Sequence, residues 1–205
     1  CHNMDPAFWT CGLTLPTSIT AEASAPAGVA YPKWSVIHFH FPATKVCPKG
    51  IKMVWHDGGK RPKPPAGADP GLNMGGNGCL IVGSKMSAMG GSHAGTPRPV
   101  AVGPKFDKDA IARESARWQA EHRKLKGTDH HREWVDAAKK GDINAPGSNF
   151  MYAAPMSAAL ALGAVALRFP GQELKWDDQS GKFTNHDEAN KWVTIDPREG
   201  YDLKA

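Results

Sequence analysis

Residues 33–42 read KWSVIHFHFP. Successive side chains of an extended strand point to opposite faces. Ser35, Ile37, Phe39 and Phe41 therefore share one face, and Trp34, Val36, His38 and His40 share the other. Large side chains on both faces predict that one packs on this chain's own core and the other pairs with another subunit or domain.

Working outward, residues 17–27 (TSITAEASAPA) are β-branched and alternating, so a strand is expected there as well. Residues 49–57 (KGIKMVWHD) put Ile51, Met53 and Trp55 on one face, and Gly58-Gly59 ends the run. A proline-rich loop of extended character runs from Lys60 to Pro70. Gly78–Gly83 and Lys85–Met89 flank Gly83-Ser84, which reads as a two-residue hairpin turn; Gly90–Pro104 reads as loop.

The hydrophobic period then changes. Residues 109–126 carry Ile111, Trp118 and Leu125 seven apart, a narrow stripe on a charged helix. Thr128 is expected to cap a second helix over 129–140, with Trp134, Val135 and Ala138 on one side and Gly141 closing it. Residues 152–168 are alanine-rich with Gly163 inside, which predicts a central, buried helix in close contact with its neighbour. Leu174–Trp176 and Lys182–Thr184 read as a hairpin around Asp177–Gly181. Asn185 and Glu188 have capping-box spacing for a last short helix to Trp192. Strands first and helices after predict an α+β fold: an open, mostly antiparallel β-sheet with helices packed on one face.

The 205 residues make one large domain or two small ones. A 40% hydrophobic and 22% charged composition is that of a globular chain, and mean hydropathy is −0.45. The longest run of small and apolar side chains, Met156–Leu167, falls well short of the ~20 residues a membrane span needs. A net charge of +5 from scattered basic residues argues against nucleic acid as a partner. Cys1, Cys11, Cys47 and Cys79 form no CxxC pair and read as isolated thiols. Cys1 as a lipid-bearing residue is disfavoured, because Met4, Phe8 and Trp9 come at once after it and look packed. The opening segment, dense in apolar side chains, reads as a chain that starts in mid-fold. The glycines at 75, 76, 78 and 83 lack the spacing of a dinucleotide fingerprint, so any nucleotide would be held elsewhere.

A series of short motifs runs along the chain in a fixed order. They are Cys1-His2-x-Met4-Asp5-Pro6-x-Phe8-Trp9, His38-Phe39-x-Phe41-Pro42-Ala43, Trp55-x-Asp57-Gly58-Gly59-x-x-Pro62, Asn77-Gly78 with Gly83-Ser84-Lys85, and Pro97-Arg98. His131-x-Glu133-Trp134-Val135-Asp136-Ala137, Ser148-Asn149-Phe150, Gly163-x-Val165-Ala166-Leu167-Arg168, Leu174-x-Trp176-Asp177 and Thr184-Asn185-x-x-x-Ala189-Asn190 continue the series. Together they resemble the Gfo/Idh/MocA oxidoreductases over nearly the whole chain except 105–127.

The resemblance implies that residues 1–205 are a single C-terminal substrate-binding and dimerisation domain of the dihydrodipicolinate reductase/Gfo type. Residues 1–16 would form a junction helix and 105–127 a variable helical insertion. It implies an N-terminal Rossmann domain that binds NAD or NADP, with no cofactor and no metal bound by this segment itself. The partners implied are a sugar or polyol substrate, that Rossmann domain, and a second copy met through the sheet face. His2 matches the histidine of the family's Asp-x-x-x-His motif and would be catalytic. Imidazole, with an unperturbed pKa of about 6.5, can take a hydroxyl proton at neutral pH. Asp5, His56 and Asp57 would touch substrate, although Asp5 also suits an ion pair or cap and Asp57-Gly58-Gly59 also suits a plain turn. Alone, the segment should turn over nothing.

Two other functions compete: an NAD-dependent glycosidase that oxidises transiently, and a non-catalytic binding or assembly module. Chains of the resembled family often carry twin-arginine export signals, which would put the parent in the periplasm and otherwise in the cytoplasm; the residues present leave the compartment open. His38 and His40, with His56 on a neighbouring strand, could approach a metal. No fourth ligand is identifiable, so they read as histidines lining a half-wet sheet. His130 and His131 at a helix start read as structural, and Trp34, Trp55, Trp134 and Trp176 as core.

Overall fold

The computed structural model describes residues 1–69, 71–84, 86–102, 107–122, 129–195 and 197–201. In chain order the elements are α1 (Asp5–Cys11), β1 (Ser18–Ala23), β2 (Ser35–Phe41), β3 (Ile51–Asp57), β4 (Cys79–Ile81), β5 (Ser87–Gly90) and β6 (Arg98–Val100). Next come α2 (Lys108–His122), α3 (His130–Lys140), α4 (Phe150–Ala166), β7 (Glu173–Asp177), β8 (Lys182–Phe183) and α5 (Asp187–Asn190). This is an α+β chain with two open antiparallel sheets, in orders β3-β2-β1-β7-β8 and β4-β5-β6. It divides into two compact units: Cys1–Gly12 with Pro62–Met156, and Leu13–Arg61 with the chain from Ser157 onward.

The second unit holds the five-stranded sheet. Ile19 pairs with Phe39 and Leu174, Ala21 with Ile37, and Ile37 and Phe39 with Trp55 and Met53. Cross-strand partners share a face, so these side chains form one apolar layer. Ile19, Ala21, Phe39 and Leu174 are all buried. The C-terminal half of α4 covers this layer with Ala159, Leu162, Val165 and Ala166 buried. Gly163 sits where an added Cβ would lie 2.7 Å from Phe39 Cζ, so only glycine admits this approach. The expected small-residue helix is thus present. It begins two residues earlier than expected, with Phe150 and Met151 exposed, and ends at Ala166.

The opposite face is mixed, with Val36 buried and polar side chains around it. Thr20 faces His38 and Ser18 faces His40 across β1 and β2; Lys52 and Val54 face the same histidines from β3. His38 Nε2 lies 3.5 Å from Glu22, and Ser18 Oγ 3.1 Å from His40 Nδ1.

The first unit holds β4–β6, with α1 against β4 and α2 against β6. Three local expectations change. β4 ends at Ile81 and β5 starts at Ser87, so the strands do not reach Gly83-Ser84 as a two-residue turn requires; Lys85 lies outside the described residues. Residues 98–100, read as loop, form β6, because Arg98 and Val100 pair with Met89 and Ser87. In the second unit α5 is capped by His186, whose Nδ1 accepts from Ala189 N, and not by Asn185. Asn185 instead bridges β7, accepting from Lys175 N and donating to Glu173 O. The α3 cap is Asp129, which accepts from His131 N and Arg132 N; Thr128 and Leu125 lie outside the described residues. Among the described residues no helix is long and apolar enough to cross a membrane.

Candidate functional site

Helix α1 holds the segment that carries His2 in place. Met4 and Phe8 are each 1% exposed, and Ala7 and Cys11 are buried beside them, so α1 is anchored by its apolar stripe. Met4 N and Asp5 N both donate to Cys1 O, which folds residues 1–4 into a turn ahead of the helix. Asp5 occupies the first helical turn, where a carboxylate is favoured by the N–H groups left unpaired there, and Pro6 needs no donor at its position.

That turn leaves the His2 ring exposed and sets it beside His93, with ring centroids 4.6 Å apart at 44°. The backbone locks the pair: Ala94 N donates to His2 O at 3.0 Å. His93 and Ala94 both have positive φ, 58° and 51°. A left-handed backbone costs a non-glycine residue about 1–2 kcal/mol, so this turn is held against its own preference. Ser92 Oγ lies 2.5 Å from His93 Nδ1 and accepts from Asn77 Nδ2 at 3.1 Å. The Asn3 and Asn77 amides are hydrogen-bonded in turn, and the Asn3 side-chain oxygen is buried with no partner. Gly78 makes this possible at the strand entry, because a Cβ there would lie 2.3 Å from Gly90 O. One imidazole, a hydroxyl and two amides thus line up in one network of donors and acceptors, with the His2 ring against its His93 end.

Asp5 belongs to the same unit but to a different contact. Tyr152 donates its hydroxyl to Asp5 Oδ1 at 2.5 Å, and Trp9, 65% exposed, meets the Tyr152 ring edge-on at 5.2 Å. Burial, then the hydrogen bond to Asp5 and its charge, push the Tyr152 phenol well above its ordinary range. It stays a neutral donor to the carboxylate.

His56 and Asp57 lie in the second unit and are engaged locally. Asp57 Oδ1 accepts from Gly58 N at 2.7 Å. His56 Nδ1 lies 3.0 Å from Lys60 O, and a carbonyl only accepts, so Nδ1 carries the proton. Both side chains hold the turn that ends β3, while Lys60 Nζ sits 4.3 Å above the Trp34 ring. Among the described residues no three His, Cys, Asp or Glu side chains gather as a metal site. The register explains the histidines: Val36 faces His56, whereas His38 faces Val54.

No protein-family model and no curated protein matches this chain.

Sequence reasoning missed His93, Ser92 and Tyr152. The one signal near the first two is the glycine density of residues 90–95, GGSHAG, which foretells left-handed backbone without saying that it falls on His93. Asn77 stood in a motif through Asn77-Gly78, with no role attached. Nothing in spacing ties Tyr152 to Asp5 across 147 positions.

Proposed function

We propose that this chain is the substrate-binding and oligomerisation domain of an NAD(P)-dependent oxidoreductase of the Gfo/Idh/MocA type, acting on a sugar or polyol hydroxyl. The observation that carries the reading is His2, an exposed imidazole set beside His93 and the Ser92–Asn77 chain. A vicinal diol presents alternating donors and acceptors, and this network offers complementary groups within one turn of chain. His2 receives the hydroxyl proton as general base; His93, Ser92 and Asn77 orient the substrate.

The described residues do not fit NAD(P) itself. Both sheets are antiparallel, and no strand leads through a glycine-rich turn into a helix N-terminus of the kind that cradles a pyrophosphate. The dinucleotide belongs to a nucleotide-binding domain of the full-length protein. The mixed face of the five-stranded sheet, with Glu22, His40 and Lys52 exposed, is the surface through which two copies meet.

The test is the full-length gene product incubated with NAD or NADP and a panel of polyols and aryl glycosides. Net reduced cofactor on a polyol supports the reading. Phenol released from an aryl glycoside without added cofactor replaces it with a glycosidase that oxidises transiently. Neither product overturns it.

A further inference from the structure

A cavity of about 270 Å³ lies in the first unit, apart from the His2 network. β5, β6 and α2 wall it, with Ser87, Arg98, Glu114, Arg117 and Trp118 in the lining. Small-molecule sites run from about 300 Å³ upward, so the space suits a single ring with a substituent and is far too small for a dinucleotide.

The charges around it are unequal. Glu114 is consumed by Arg117, whose Nε and Nη2 both approach its carboxylate at 2.7 Å. Arg98 lies on the short strand β6, and its side chain makes no ion pair or hydrogen bond with any described residue. One guanidinium is thus left over, and its planar fork matches a carboxylate bidentately. The remaining walls are Met86, Ala88, two prolines and the Trp118 indole, surfaces for an apolar or flat body. Ser87 is 1% exposed, and its hydroxyl has no partner among the described residues.

We infer that this cavity binds a small ring-bearing carboxylate, its anionic group on Arg98 and its ring against Trp118. The proposal does not depend on the oxidoreductase reading, since no residue is shared with the His2 network.

The experiment is isothermal titration of the 205-residue chain with benzoate and with the neutral, isosteric benzamide. The expected result is saturable benzoate binding, at least tenfold weaker for benzamide and at least tenfold weaker in Arg98→Gln. Arg98→Lys, which keeps the charge and loses the fork, falls between wild type and Arg98→Gln. Arg113→Gln, whose side chain pairs with Asp107 and is absent from the lining, binds benzoate as wild type does. Arg98 is exposed, so its variants fold. Absence of saturable benzoate binding, benzamide binding as tightly as benzoate, or unchanged affinity in Arg98→Gln overturns the proposal.

Discussion

Replacing Gly163 with alanine tests how α4 is seated on β2. Alanine in a helix interior is favoured over glycine by about 1 kcal/mol. The new Cβ would stand 2.7 Å from Phe39 Cζ, 3.2 Å from Phe39 Cε1 and 3.6 Å from Ile37 Cδ1. Carbon atoms attract best at roughly 3.5–4.0 Å, so the first two contacts are repulsive. Phe39 is almost wholly buried and its ring has nowhere to swing. Overpacking of this kind costs about 1–3 kcal/mol, which offsets the propensity gain and leaves Gly163→Ala neutral to about 2 kcal/mol less stable. Phe39→Leu removes the ring tip. In that background Gly163→Ala should recover its gain of about 1 kcal/mol, a coupling of about 1–3 kcal/mol. Urea denaturation of the four proteins, followed by circular dichroism with m-values compared, gives the cycle. Equal stabilisation by Gly163→Ala in both backgrounds would show that the helix does not rest on Phe39.

Tyr152→Phe should destabilise by about 1.5–3 kcal/mol, because it removes a hydrogen bond to a charged group; thermal melts at neutral pH check this. The raised Tyr152 phenol means that the folded chain keeps a proton the unfolded chain releases. Stability should therefore fall as pH rises past about 10, and Asp5→Asn should bring the phenol only part of the way back, since burial remains; ultraviolet titration reads both. Asp177 moves in the opposite sense. Hydrogen bonds from Ser180 and Gln179 hold its carboxyl below the ordinary value, so the β7–β8 turn should keep its amide protection above that value and lose it as pH falls further. Asp177→Asn should flatten that acid dependence. Ala94→Gly should stabilise by about 0.5–1 kcal/mol through relief of the left-handed backbone, with the His2–His93 ring contact retained in NMR spectra.

Much of the sheet was legible because alternation is a strong local signal. The β2 pattern placed Ile37 and Phe39 on the buried face, and β1, β3 and β7 pair with it or with one another in matching register. Short elements were harder. β6 contains Pro99 between two paired residues and has too few positions to alternate, so its strand character comes only from its neighbour β5. The α5 cap went to His186 because Asn185 finds better partners on β7, a tertiary choice that capping-box spacing cannot see. The site shows the same division. His2 and Asp5 both stood out by resemblance. Their contacts, His93 and Tyr152, come from segments about 90 and 150 residues away, joined by loop geometry that no periodicity encodes. His56 and Asp57 were expected to touch substrate, and one polar atom of each holds the turn that ends β3.

The most direct test of the central claim is the turnover of His2→Gln in the full-length protein, read as reduced nicotinamide formed from a polyol. Removal of a general base costs about 10²–10⁴-fold, so kcat should fall by that range with KM for the polyol changed far less. A variant that reduces cofactor at the wild-type rate would contradict the role given to His2 and the placement of the site around it.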